Sequence, residues 1–474
     1  MLGKRVLITN RGEIAIRIAK ALNELGLVSV GLWTDNEPEA AHLEYCQEWV
    51  HLPGSTNRDT YLNVPKIMEI IKVNKIDAVH PGYGFLSENG DFAKTLKAAG
   101  VIFIGPNPEA IAAMGDKAIS KQWAQKAGVP VVPGSVGEVP TAEEALKLCQ
   151  SIGYPVLLKA VAGGGGKGMR PCYSDADVKI NFEAVQREAL SSFGNAGLLV
   201  EKYVKDPHHI EVQILADKKG NVYHLFEREC SIQRRHQKII EEAPSPFIGA
   251  DTKLRTEICE TAVKLAKAVG YDSAGTVEFI MGDDRKFYFL EMNTRIQVEH
   301  PITEEITGID LLANMVKSAF NQPLDFKSQD DIKLHGHAIE CRICAEDPIT
   351  MLPAPGKIAG FETTFPQGIR FDHCLYPKFT ITPDFDPMVG KLVARGFDRA
   401  VAVRKVRAAL DGLLLDGLKT NIPLLKVILD EESFKAGHYT THYIAGVKPQ
   451  DKVAVAEDAR TLMVRVASVE MGQV

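Results

Sequence analysis

The chain has 474 residues, 45% hydrophobic and 24% charged, with 61 acidic against 55 basic side chains and a net charge of −6. That length supports two to four domains with ordinary cores, and the charge balance gives no global reason to bind nucleic acid or anionic membranes. No run approaches the ~20 apolar residues of a membrane span, and the eight scattered cysteines form no dense disulfide framework, so a reducing cytoplasm is expected.

Met1 to Asn10 holds only a short apolar run and lacks the pattern of a secretory signal. A strand over Arg5–Thr9 leads into a helix with Ile14, Ile18, Leu22 and Leu25 at helical spacing, then a second strand over Leu27–Trp33. Two further apolar strands, Ala78–His80 and Val101–Ile104, each follow a helical stretch, so residues 1–115 are expected to form a doubly wound parallel α/β sheet. The first turn, Asn10-Arg11-Gly12-Glu13-Ile14, has one glycine where a dinucleotide fingerprint needs three, which argues against nicotinamide binding. Residues 116–334 read as a mixed α+β region. Within it, 131–203 is a small unit with a strand over Tyr154–Ala160, a glycine run and a helix. A last region, 335–446, opens with a strand at His337 and closes with a helix over Ala400–Leu415; the tail 447–474 receives no assignment. Cys341 and Cys344 form one C-x-x-C, but it lies in an alternating segment that reads as a strand rather than a zinc knuckle.

Three segments carry chemistry. Lys159 to Met169 is a strand end followed by Gly163, Gly164, Gly165, Gly166, Lys167 and Gly168. Such a loop can lay backbone N–H groups on phosphates and move as a lid, yet Gly168 after Lys167 rules out a P-loop. Gly275–Met281, Gly282-Asp283-Asp284-Arg285 and Lys286–Asn293 read as a β-hairpin. With the turn centred between Asp284 and Arg285, Glu278 faces Glu291, and two unpaired carboxylates there invite Mg²⁺ or Mn²⁺, with Asn293 as a further ligand. In Asn293 to Pro301, Arg295, Gln297 and Glu299 alternate; on an extended segment they share a face, where Arg295 could hold a small anion such as bicarbonate and Glu299 could deprotonate it. Gln233 to Lys238 is a further basic stretch, but without a basic excess elsewhere it does not point to nucleic acid.

From Arg5 to about Gly446 the chain resembles the biotin carboxylase subunit of biotin-dependent carboxylases, members of the ATP-grasp superfamily. Asn10–Ala15, His80–Asn89, Gln233–Lys238, Glu291–Pro301 and Glu340-Cys341-Arg342 carry the match in order. The resemblance implies an ATP-grasp fold with an N-terminal doubly wound domain, a mobile lid and a C-terminal domain completing the active site. It implies ATP-phosphate contacts by Lys117 and Lys159, a lid at Gly163–Gly168 flanked by Met169, and an adenine-binding hinge at Glu201, Lys202 and Val204. His209, Gln233, His236 and Ile280 would line the nucleotide pocket. Glu278, Glu291 and Asn293 would hold two Mg²⁺ or Mn²⁺ ions; Lys238, Arg295, Gln297, Val298 and Glu299 would form the bicarbonate site, and Arg342 would face the ureido oxygen of biotin.

The implied reaction joins ATP and bicarbonate into carboxyphosphate and ends in N-carboxybiotin. No Met-Lys-Met biotinylation motif is present, so a biotin carboxyl carrier protein or a biotinylated carboxyltransferase subunit is expected as a separate partner, and the resemblance also implies a homodimer. Two residues depart from the family pattern: Pro171, expected to shorten the lid hairpin, and Phe385 in place of a tyrosine. The rival readings are another ATP-grasp ligase, such as a carbamoyl-phosphate synthetase half, against which Arg295 to Glu299 together with Arg342 argue, and a catalytically silent nucleotide-binding regulatory subunit, against which the intact set Lys238, Glu278, Glu291, Glu299 and Arg342 argues.

Overall fold

Five parallel strands open the chain: β1 (Arg5–Ile8), β2 (Val28–Trp33), β3 (Glu48–His51), β4 (Ala78–His80) and β5 (Ile102–Phe103), in the order β3-β2-β1-β4-β5. The helix Gly12–Glu24 buries Ile14, Ile18 and Leu22 against them. The edge strand β3 has no apolar run to mark it, and its Trp49 is exposed. The computed structural model describes residues 1–135, 137–161, 168–193, 195–234, 237–447 and 452–453; the expected lid glycines Gly163 to Gly166, with Lys167, and also His236 and most of the tail, lie outside them.

A small antiparallel sheet follows, with β6 (Val156–Ala160) between β7 (Met169–Cys172) and β8 (Leu198–Lys202). Pro171 does not shorten it, because pairing continues through Leu157↔Pro171 to Val156↔Cys172. Ala160 N donates to Gly168 O at 2.8 Å, so the period of two turns residue 171 away from β6, to the free edge where a missing donor costs nothing.

The largest sheet has eight antiparallel strands: β9 (His208–Ala216), β10 (Val222–Arg234), β11 (Gln237–Ala243), β12 (Ala274–Met281), β13 (Phe287–Asn293), β14 (His337–Cys344), β17 (Ile369–His373) and β19 (Met388–Gly396), in the order β13-β12-β9-β10-β11-β14-β19-β17. It therefore runs without a break from residues near 210 to residues near 395. Two short pairs stand apart: β15 (Gly356–Lys357) with β18 (Thr380–Ile381), and β16 (Gly360–Thr363) with β20 (Leu413–Asp416). On one face Ile210, Val212, Ile214, Val277 and Phe279 pack with Ile258, Ala262 and Leu265 of the helix Thr252–Ala268. Alternation then commits His209, Glu211, Gln213 and Glu278 to the other face.

The helix expected over Ala400–Leu415 is observed as Arg399–Asp411, and residues 413–416 are strand β20 instead. Thr364 N donates to Gly412 O at 2.8 Å; a Cβ on Gly412 would lie 1.9 Å from the Thr364 carbonyl oxygen. This contact ends the helix, and the run Leu413-Leu414-Leu415 cannot reveal it because a short apolar run fits helix and strand alike. Cys341 and Cys344 lie in β14, where residues three apart point to opposite faces, and all eight cysteines are free thiols. No helix among the described residues is long and apolar enough to cross a membrane.

Glu242 ties this end of the chain to the sheet. Its buried carboxylate accepts from His337 Nε2 at 2.6 Å, from Arg399 Nε at 2.6 Å and Nη2 at 2.9 Å, and from the Tyr439 hydroxyl. Burial opposes its charge, but His337 and Arg399 outweigh burial and hold the carboxyl down at about 2. A depressed carboxyl gives stability that is complete above its unfolded value and is lost as pH falls toward the folded value. Glu242→Gln should therefore destabilise the protein by roughly 3 kcal/mol near neutral pH. Denaturant titrations at pH ~7 and pH ~3.5 check this: the gap from wild type should narrow at the lower pH, and an unchanged gap would contradict the assignment.

Candidate functional site

The polar face of the large sheet is built by register. Glu211 lies directly opposite Arg228 on β10 and Glu278 on β12, and His209 lies opposite Ile280. Arg228 is fully buried and spends its guanidinium on five acceptors: Glu211 Oε1 (2.5 Å), Gln213 (2.6 Å), Thr303 (3.0 Å), Thr276 (3.1 Å) and Gln297 (2.8 Å).

Lys238, on β11, places its ammonium between three carboxylates: Glu211 Oε2 at 2.5 Å, Glu299 Oε1 at 2.6 Å and Glu278 Oε1 at 2.9 Å. Burial disfavours that charge, but the three anions overcome it and push the ammonium well above its usual range. The second oxygen of Glu299 accepts from Arg342 Nη2 at 2.9 Å, and Arg342 Nε donates to Glu241 at 2.6 Å. Burial again opposes ionisation of Glu299, yet Lys238, Arg342 and Arg228 hold it well below the usual carboxylate range.

Glu278 and Glu291 face each other across β12 and β13. The turn is one residue tighter than expected: Gly282 N donates to Lys286 O at 3.0 Å, with Arg285 at φ +58°. The pairing shifts back where Leu290 bulges out, exposed, between Phe289 and Glu291. Glu278 is not unpaired, since His209 Nε2 lies 2.9 Å away and Lys238 holds the other oxygen. Glu291 has no ion pair among the described residues, and burial together with the charge of Glu278 pushes its carboxyl up. A hard oxygen donor without a cation, beside a second carboxylate, fits Mg²⁺. Asn293 fits less directly: its Nδ2 donates to Glu278 at 2.8 Å, and its Oδ1 already accepts from Arg295 Nη2 at 3.0 Å.

Arg295, Gln297 and Glu299 do not share one face of an extended segment. β13 stops at Asn293, Ile296 is buried in the core, and the chain turns into the helix His300–Thr307, opened by Pro301. Gln297 donates to Glu278 at 2.8 Å, whereas Arg295 turns to Glu88 at 3.0 Å. The carbonyl of Val298 accepts from the buried Lys391 at 3.0 Å. Arg295, Val298, Lys238 and Arg342 nevertheless line one cavity of about 440 Å³, together with Glu13, Tyr83 and Phe385. The Phe385 ring stacks under the Arg11 guanidinium at 3.9 Å, a contact that needs no hydroxyl.

The residues expected around the nucleotide lie along β6, β8, β9 and the hairpin. Lys159 and Lys121 each approach the Glu201 carboxylate at 3.5 Å. The Lys202 ammonium caps the carbonyls of Gly153 (2.8 Å) and Tyr154 (3.0 Å). Lys117 opens the helix Lys117–Lys126 and acts on Glu291 through its charge. Gln233 meets His209 Nδ1 at 2.9 Å, Gly168 N donates to Glu188 at 3.1 Å as Met169 begins β7, and Val204 lies beside the Gly282 turn.

Sequence reasoning missed Glu211, Arg228 and Glu241. Alternation in His209-Ile210-Glu211-Val212-Gln213-Ile214 marks a strand that gathers Glu211 on one face with His209 and Gln213, but it does not tell a buried polar face from a solvated one.

Comparison with known proteins gives three successive family matches: "Biotin carboxylase, N-terminal domain" over residues 2–111, "Carbamoyl-phosphate synthase L chain, ATP binding domain" over 116–327 and "Biotin carboxylase C-terminal domain" over 340–446. Biotin carboxylase 1 of Bacillus subtilis is 44% identical over 443 residues, covering 93% of this chain and 98% of that protein. The biotin carboxylase of Campylobacter jejuni, solved as a β,γ-ATP complex, superposes with a TM-score of 0.85 at 43% identity, over 94% of this chain and 98% of that one. The biotin carboxylase domain dimer of Hydrogenobacter thermophilus 2-oxoglutarate carboxylase, solved with MgADP, ADP and bicarbonate, gives 0.85 at 44% over the same shares. Matches of this identity along nearly the whole length show that the chain belongs to the biotin carboxylase family of ATP-grasp ligases.

Proposed function

We propose that the chain uses ATP and bicarbonate to carboxylate a biotin carried on a separate polypeptide, with carboxyphosphate as the intermediate. The observation that carries this reading is Lys238, whose ammonium joins Glu278 beside the expected metal pair to Glu299 and, through Glu299, to Arg342 at the cavity. The bicarbonate and MgADP held by the Hydrogenobacter domain support the same ligands here.

Bicarbonate entering the cavity brings an anion that competes for Lys238, Arg295 and the Val298–Gln297 segment. As Lys238 turns to the substrate, Glu299 loses the first of the cations that depress it and becomes a more competent base. Glu299 takes the bicarbonate proton, and a carbonate oxygen attacks the γ-phosphorus as ADP leaves. Carboxyphosphate breaks to CO₂ and phosphate. Phosphate removes the ureido N–H proton, the nitrogen attacks CO₂, and Arg342 faces the negative charge that develops on the ureido oxygen. Lys117, Lys159 and the loop Gly163–Gly168 attend the phosphates, Glu201, Lys202 and Val204 the adenine, and His209, Gln233, His236 and Ile280 the pocket walls. Glu278 and Glu291, with Asn293 once it releases Arg295, would hold two Mg²⁺ or Mn²⁺ ions. Such ions, when bound, offset the charge of the triphosphate. A biotinylated carrier or carboxyltransferase subunit is the partner, a homodimer the assembly and the cytoplasm the compartment in this reading.

Phosphate release and carboxybiotin formation measured side by side test the division of labour. Glu299→Gln should suppress both, whereas Arg342→Ser should lower carboxybiotin formation by roughly 10² to 10³ while bicarbonate-dependent ATP cleavage persists. Equal loss of both activities in folded Arg342→Ser would place Arg342 in the ATP or bicarbonate step.

Removing one charged ligand should weaken metal binding without disturbing the fold. Glu291→Gln is expected to raise the Mg²⁺ concentration for half-maximal turnover, and a Mg²⁺ titration identical to wild type would remove Glu291 from the metal site.

A further inference from the structure

The face of β14 that carries Arg342 also carries Glu340, two residues earlier. Glu340 is 0% exposed and lies directly opposite Glu241 across the β11–β14 ladder, where paired Cβ atoms sit ~5 Å apart. Neither oxygen of Glu340, nor Oε2 of Glu241, meets a hydrogen-bond donor among the described residues. The remaining oxygen of Glu241 receives Arg342 Nε at 2.6 Å.

The surrounding charges are already committed. On β19, Lys391 Nζ is shared between Glu13 Oε2 and the Val298 carbonyl, both at 3.0 Å. On β14, Arg342 is held by Glu241 and Glu299. The helix His300–Thr307, packed over β11 and β14, brings Glu304, bound to Arg17 and Arg370, and His300, which burial keeps neutral. An ionised carboxylate buried with no donor is very costly, and two carboxylates at this distance do not both ionise. One proton converts an acceptor into the donor that the pair lacks. Burial, then the charge of Glu241, pushes Glu340 well above the usual carboxylate range. Burial pushes Glu241 up as well, to about 7, but the Arg342 guanidinium offsets part of that, so Glu241 is the member that ionises and Glu340 the one that keeps the proton.

We propose that Glu340 is a positioning residue: its protonated carboxyl donates to Glu241 Oε2 and so fixes Glu241 as the anchor that aims the Arg342 guanidinium into the cavity. The inference rests on the role given to Arg342 above, but its proton can be tested without that role. The infrared difference spectrum of wild type minus Glu340→Gln at neutral pH should show the C=O stretch of a protonated carboxyl, and its absence overturns the proposal.

The kinetic arm uses two neutral replacements. Glu340→Gln retains an N–H donor and should form carboxybiotin within about threefold of wild type. Glu340→Met retains length without a donor and should lose on the order of tenfold to a hundredfold, the size of one hydrogen bond to a charged group. Bicarbonate-dependent ATP cleavage should stay near wild type in both; Tm should stay near wild type in Glu340→Gln and fall in Glu340→Met, where a buried oxygen of Glu241 loses its donor. Equal loss in the two variants, or no loss in Glu340→Met, overturns the positioning role. If the infrared band is present but Arg342→Ser abolishes both half-reactions alike, the positioning role falls with the Arg342 assignment while the proton on Glu340 stands.

Discussion

The Lys238 ammonium is the charge around which the rest of the site is arranged. Glu211, Glu278 and Glu299 converge on it from β9, from β12 and from the turn before the helix His300–Thr307. In a buried, low-dielectric setting three carboxylates this close would drive one another to take up protons, so the sheet can hold them charged only with cations between them. Each also has a second cation: Arg228 for Glu211, His209 for Glu278 and Arg342 for Glu299. Charge alternates along the face, from His209 through Glu278, Lys238 and Glu299 to Arg342 and Glu241.

That alternation explains how two chemical events share one scaffold. The His209–Glu278 end adjoins Glu291 and the hairpin, suited to a nucleotide and its metal, and the Arg342–Glu241 end opens on the cavity. The strands of both ends belong to one continuous sheet, so the distance between them is set by backbone hydrogen bonds rather than by a flexible linker. A mobile charge here would be poorly preorganised; Arg228, with five acceptors and no exposure, removes that freedom for Glu211 and Gln297.

Much of this was legible before any coordinates. The β-α-β opening, the hairpin with Glu278 opposite Glu291 and the strand carrying Arg342 all follow from periodicity. The hairpin register came out right through two offsets that cancel, a tighter turn at Arg285 and a bulge at Leu290, neither visible in composition. The Arg295–Glu299 segment was misread as extended because alternating polar residues also occur where a chain turns into a helix, and Pro301 was the cue. Strand β20 was hidden because three leucines satisfy either period, and only the close approach of Thr364 to Gly412 decides it. Glu211, Arg228 and Glu241 take their meaning from partners across strands, and the β11–β14 pairing joins residues about a hundred positions apart, which no local pattern encodes.

The central claim is that bicarbonate, held beside Lys238 and deprotonated by Glu299, attacks the γ-phosphorus, rather than water. If so, one oxygen of bicarbonate must leave in the phosphate when carboxyphosphate splits. Turnover of the purified chain with ¹⁸O-labelled bicarbonate, ATP, Mg²⁺ and biotin, followed by mass analysis of the released phosphate, measures this directly. One ¹⁸O per phosphate is the predicted result, and phosphate without ¹⁸O, its new oxygen drawn from solvent water, would contradict the account.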